Sequence, residues 1–259
     1  MMWNASWTYM IVAALLLATR MGGIVLILPW WGAGAIPPRV KLLTVMVLTM
    51  ALLPITGDLS PALKNADPIR ATLVGISGEL LVGLALGLSI RVVLAGVASA
   101  GKVLSMQIGL RMANVLDPLG GYQSSVVDAV MQGICILAML ATNLHHVVLR
   151  GAAASLRLLP LGVGLSQSTI GNLVFNGGRA LFVLIVQVAG PVIAVALAMH
   201  VAFAILLRFA PQMNVFFVAF ALVILVGIAL LAGILPQAIG SAVNAGEGQV
   251  EHFMGLLGG

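Results

Sequence analysis

Few residues of this chain have side chains that can do chemistry, and nearly all of them stand alone. Glu79 is the one acid inside a hydrophobic stretch. Such a group is a functional candidate by default, because a central charge costs ~2.5–3.5 kcal/mol even on a lenient scale. It either couples to an ion or makes an ion pair or N–H contact with a neighbouring helix or subunit, and the second reading is favoured. His145 and His146 are adjacent, so on a helix they diverge by about 100° and cannot grip one ion together. Packing or interfacial hydrogen bonds suit them better than a metal. His200 stands by itself in LAMHVAFAILL with no acid nearby in the chain to take a proton on, so it reads as a packing residue rather than a proton relay. Cys135, the only cysteine, sits among Ile134, Ile136 and Leu137 as a small buried hydrophobe.

Wider signatures of chemistry are missing as well. The chain has no phosphate-cradling GxxxxGKS or GxxxxGKT, no HExxH, no cysteine pair and no acidic cluster that could hold a metal. The sequence therefore predicts no catalytic residue, no cofactor and no metal site. It does contain an unusual loop. Residues 116 to 125 read LDPLGGYQSS, a turn-forming stretch with an acid, a proline and two adjacent glycines inside an otherwise apolar chain.

The elements that must position these residues are membrane helices. Of 259 residues 61% are hydrophobic and 7% charged, with a mean hydropathy of +1.18, against the ~25% charged residues of a soluble domain. Charge-free stretches at Met1 to Thr19, Met21 to Pro38, Leu42 to Gly57, Ala129 to Leu149, Ala180 to Leu207 and Phe209 to Gly246 make about six hydrophobic segments. The first has no basic residue before its apolar run and leads into more apolar chain, so it reads as retained rather than as a cleaved signal. The net charge of +5 comes from Lys and Arg scattered singly between segments, which argues against a nucleic-acid partner. The thirteen methionines are spread along the chain and read as packing filler.

The first helix is expected over about Trp7 to Leu28, ending at Pro29, with Trp30 and Trp31 at an interface. A second, about Lys41 to Leu53, leads into the polar loop PITGDLSPALKNADP. From Ile69 to about Ala113, Glu79, Arg91, Lys102 and Arg111 recur among many glycines, and Gly83 and Gly87 have GxxxG spacing. Small residues let helices approach closely, so this region is predicted to pack against protein rather than lipid. Ala129 to Leu149 precedes a polar connection, LGVGLSQSTIGN, and the segments Arg179 to Arg208 and Asn214 to Gly240 form a hairpin through APQMN. The glycine-rich tail from Ser241 is expected to fray. Basic residues on alternating loops do not orient the chain: Arg39, Lys41, Arg91, Lys102, Arg111 and Arg208 stand on one side, Lys64, Arg70, Arg150, Arg157 and Arg179 on the other.

Three stretches carry a resemblance. APQMNVFFVAFALVILVG (210 to 227), GELLVGLALGLSIRVVLAGVASAGKVLSMQIGLRMANVLDP (78 to 118) and NLHHVVLR (143 to 150) resemble, in order and spacing, the FliR family of flagellar biosynthetic proteins and its injectisome counterparts, subunits of type III export gates. The chain departs from that pattern at Ala221 and Val223, where the family usually has proline and a basic residue, and at Leu144, often glycine. The resemblance implies an all-α membrane protein of about six long bent hydrophobic helices in hairpins, of export-gate type. It implies a single subunit: N-terminal hairpins over 1–113, a lumenal plug loop over 114–127, a helix and polar connection over 128–178, a C-terminal hairpin over 179–240 and a flexible tail over 241–259.

The resemblance further implies assembly with FliP and FliQ, with FlhB nearby, in the bacterial inner membrane at the flagellar basal body, where unfolded proteins are exported. The plug would comprise Asn114, Leu116, Asp117, Pro118, Gly120, Gly121 and Tyr122. Irregular backbone at membrane depth is tolerated where it lines a water-filled cavity, two glycines give the loop freedom, Pro118 restrains its root, and Tyr122 is its only bulky ring. Subunit packing is expected at Glu79, Gly83, Gly87, Asn143, His145, His146, Gln212, Asn214, Phe216 and Phe217. A plain extramembrane turn is the simpler reading of the loop. The rival function is a self-sufficient secondary transporter or channel with Glu79 and His200 in its ion path.

Overall fold

A computed structural model of the chain describes residues 2–31, 36–56, 68–109, 126–209 and 215–258. Seven α-helices carry nearly all of these residues, and there is no strand among them: α1 (Met2–Ile27), α2 (Pro38–Leu52), α3 (Pro68–Gln107), α4 (Val126–Ala141), α5 (Leu144–Leu158), α6 (Gln167–Phe209) and α7 (Val215–Gly258). Five of them are long and apolar enough to cross a membrane, and α4 and α5, broken near Asn143, pass the same test only when taken together. That is the all-α membrane architecture expected.

Prolines set several boundaries. α1 closes with the Leu28 amide on the Ile24 carbonyl and yields at Pro29, which has no N–H to continue the ladder. α2 and α3 both open on proline at the first helical position, where the missing donor costs nothing. α6 begins earlier than expected, at Gln167, because Ser166 caps it: its hydroxyl accepts the Thr169 amide at 3.2 Å and its carbonyl accepts Ile170 N–H at 3.1 Å. Much of the supposed polar connection is thus the first turns of a 43-residue helix.

The expectation of a frayed tail is also corrected. α7 continues to Gly258, and residues Ala242, Val250 and Phe253 are buried. Glycine's low helix propensity, ~1 kcal/mol per residue, is overcome here by tertiary packing of an apolar stripe.

The chain divides into two compact units. One comprises Met1–Val92, Asn143–Gly178 and Ala245–Gly259; the other comprises Val93–Thr142 and Arg179–Asn244. In the first, Leu16, Leu17 and Met21 of α1, Leu86 and Ile90 of α3, Leu144 and Val148 of α5, and Phe253 of α7 make the core. In the second, Val97 and Leu104 of α3, Met139 of α4, Leu184 and Val188 of α6, and Ala238 of α7 do so. Outward faces are apolar as well, with Met46, Met50, Val174, Phe182, Val186 and Leu225 more than half exposed. Such faces call for lipid or protein around them.

α3 spans 40 residues, roughly 60 Å at 1.5 Å per residue. A tilt of ~40° still leaves roughly 46 Å along the membrane normal, well beyond the ~30 Å hydrocarbon layer. An α3 of this length has to extend past the hydrocarbon, which suits its interspersed Glu79, Arg91 and Lys102.

Within the first unit, α1 and α3 meet along glycines. A Cβ on Gly83 would overlap the Arg20 carbonyl, and one on Gly23 would lie 2.9 Å from the Leu84 nitrogen. One on Gly87 would lie 3.0 Å from the Ile27 Cβ. Gly22, next in sequence to this seam, faces open space. Gly83→Leu is therefore expected to destabilise the purified protein by at least ~1–3 kcal/mol through overpacking. Gly22→Ala is expected to be neutral or mildly stabilising; thermal unfolding in detergent distinguishes the two.

Candidate functional site

The most elaborate polar arrangement among the described residues is built on a charge in α1. Arg20 and Glu79 are both fully buried. Arg20 Nε donates to Glu79 Oε2 and Nη2 donates to Oε1 at 3.0 Å, a two-pronged pair that matches the planar guanidinium fork to the carboxylate. The remaining valences are met by neighbours. Arg20 Nη1 donates to the Ser155 hydroxyl of α5 at 3.1 Å and Nη2 to the Leu159 carbonyl at 3.2 Å. Glu79 Oε1 also accepts the Gly162 amide at 2.7 Å, and the Ser155 hydroxyl donates to the Ala152 carbonyl at 2.7 Å.

Local backbone makes this possible. Gly162 and Gly164 adopt positive φ of 90° and 70°, open to glycine without strain, so the turn between α5 and α6 can bring an amide onto the carboxylate. Gly78 meets the same turn: an added Cβ there would lie 3.0 Å from the Gly164 Cα. The cluster therefore ties α1, α3, α5 and the α5–α6 turn together with no free charge. Chemically it can clamp: Arg20 neutralises the Glu79 charge, and three of the carboxylate's acceptor sites are filled. Arg20 escaped the sequence reading, which treated it as a break between two hydrophobic segments. Its signal is that Arg20 is the one charged residue of α1 and Glu79 the one acid of α3.

The structure places the other expected residues as follows. Gly83 and Gly87 lie in the α1–α3 seam inside the chain. Asn143 sits between α4 and α5 with φ 59°, a left-handed conformation that asparagine tolerates better than most residues. The His145 and His146 rings touch at a tilt of 39°, with centroids 4.2 Å apart; His146 is exposed, while the half-buried His145 has an enclosed Nδ1 without a hydrogen-bond partner among the described residues. Among the described residues no group of three potential metal ligands comes together. His200 is exposed on α6, so it does not pack within the chain as expected. Leu144 is buried against α7, where a Cβ on Gly246 would come within 2.8 Å of its Cδ2. Phe216 and Phe217 fall in the first turn of α7.

Asn114, Leu116, Asp117, Pro118, Gly120, Gly121 and Tyr122, together with Gln212 and Asn214, lie outside the described residues. The last described residue before the loop is Gly109, with φ 79°. It ends α3 in the manner of a C-terminal glycine cap. Ile108 is buried and packs on α7 so closely that a Cβ on Gly227 would fall 2.5 Å from its Cγ1, and Gly109 lies against the Phe220 ring. The root of the loop is therefore held by α7.

Residues 11–246 match the family described as bacterial export proteins, family 1. The chain belongs to that family. Its relatives include flagellar biosynthetic proteins FliR. That of Caulobacter vibrioides is 30% identical over 225 residues, covering 85% of this chain and 87% of the relative. That of Escherichia coli is 29% identical over 205 residues, covering 78% and 76%, and that of Aquifex aeolicus 27% over 235 residues, covering 87% and 86%. The resemblance seen in three stretches of sequence thus extends over most of the chain. This export-family member is a membrane component of the flagellar export apparatus.

Removing one member of a buried ion pair strands the other at a cost of ~3–5 kcal/mol. Arg20→Met and Glu79→Gln are each expected to lower folded yield and thermal midpoint sharply. Arg20→Met combined with Glu79→Met should recover part of that loss, and a double mutant no better than the worse single variant would refute this account of the cluster.

Proposed function

We propose that this chain is a non-enzymatic gate subunit of the flagellar export channel in the bacterial inner membrane. It assembles with subunits of the FliP and FliQ type, beside one of the FlhB type, and residues 114 to 125 keep the channel shut until an unfolded substrate passes. The observation that carries this reading is the family match over residues 11–246, which includes the whole of that segment and both of its flanks. Three features support it: helices longer than a bilayer, apolar outward faces that need neighbours, and a loop root fixed by Ile108 and Gly109. A fixed root with a glycine-bearing tip suits a segment that must yield to incoming chain without unfolding its base. Asn143, His146, Gln212, Asn214, Phe216 and Phe217 remain the proposed contacts to partner subunits.

The transporter reading loses its main support because the Glu79 carboxylate is buried in a pair with Arg20 and accepts the Gly162 amide. The flagellar names of the relatives favour flagellar over injectisome use.

The test is ion leakage in cells expressing the chain with Leu119 to Ser124 removed, with and without the partner subunits. Leakage is expected only when all partners are present, as a seal on a shared channel requires. An assembled complex that stays tight after the deletion would sink the plug role.

A further inference from the structure

The first unit contains an apolar cleft of about 410 Å³, inside the ~300–1,000 Å³ range of ligand pockets. Its walls are one face of α3, including Leu81, Leu88 and Val92, and one face of α6, including Leu173 and Val174. The polar side chains along it are few: the Ser89 hydroxyl is already spent on the Ala85 carbonyl at 2.9 Å, which leaves Gln249. Glycines keep the cleft open. A Cβ on Gly177 would touch Val92 at 3.7 Å, and one on Gly178 would meet nothing within 4 Å.

Two measures decide what fits. From Leu81 to Val92 the cleft follows α3 for roughly 16 Å, about the depth of one bilayer leaflet. Charge supplies the second criterion. Arg91, next to Val92 on α3, is exposed and forms no ion pair among the described residues.

We propose that this cleft holds one acyl chain of an anionic phospholipid, with its phosphate on Arg91. The tail replaces bulk lipid between α3 and α6, and the guanidinium selects the headgroup by charge and by its hydrogen-bonding fork.

The test is native mass spectrometry of the full chain released from detergent supplied with phosphatidylglycerol or phosphatidylcholine. One phosphatidylglycerol per chain is expected, retained in preference to phosphatidylcholine. Gly178→Phe, which fills the cleft, should reduce retention of both lipids at least tenfold. Arg91→Gln should reduce phosphatidylglycerol about fivefold and leave phosphatidylcholine unchanged. Gly133→Phe, at a glycine of α4 that also faces open space, serves as the control and should retain lipid like the parent. Should Gly178→Phe fail to fold, the surface substitution at Arg91 still decides through the ratio of the two lipids. Equal retention of both lipids by the parent chain overturns the proposal. Loss of the lipid whenever the partner subunits copurify also overturns it, by making a partner segment the occupant.

Discussion

The Arg20–Glu79 pair is the constraint around which the first unit is organised. A guanidinium and a carboxylate taken out of water are each unfavourable, and their mutual attraction offsets this only when the geometry is good and the remaining donors and acceptors find partners. Ser155, the Leu159 carbonyl and the Gly162 amide are those partners. Their positions follow from that need: α5 must place a hydroxyl beside α1, and the α5–α6 turn must bend through two positive-φ glycines to bring an amide inward. The close approach at Gly23 and Gly83 follows too, since a wider gap between α1 and α3 would carry the charges apart.

The second unit has no comparable ion pair among its described residues and is held by shape. Gly96 admits the Leu184 side chain and Gly227 admits Ile108, each where an added methyl would press on the neighbour. Packing of this kind depends on small volumes and tolerates little enlargement. Ile108, at the end of α3, precedes in sequence the segment proposed as the channel seal.

The membrane class, the number of spans and the glycine-lined packing region were legible in the sequence because hydropathy and GxxxG spacing are local signals. What lay opposite the glycines was not, since nothing in the spacing of Gly83 and Gly87 names α1. Glu79 drew attention as an isolated acid, whereas Arg20 was discounted because a window that scores hydropathy treats any charge as an end. The helical tail was misjudged for the opposite reason: glycine content is local, and the burial of Phe253 that outweighs it is not. Asn143 was picked out within NLHH as a packing residue, but its left-handed backbone explains an asparagine there without any contact. Ser166 was a readable cap that went unread.

The 59-residue separation of Arg20 and Glu79 in sequence also sets a timetable. At synthesis rates of ~5–20 residues per second, the acid follows the base by roughly 3–12 s, and Ser155 and Gly162 come later still. During that interval α1 carries an unaccompanied guanidinium, which hydrocarbon disfavours. α1 is thus made before it can settle. Its final place in the bilayer waits on a helix that the ribosome has yet to deliver, so the order of synthesis and the order of folding diverge at α1.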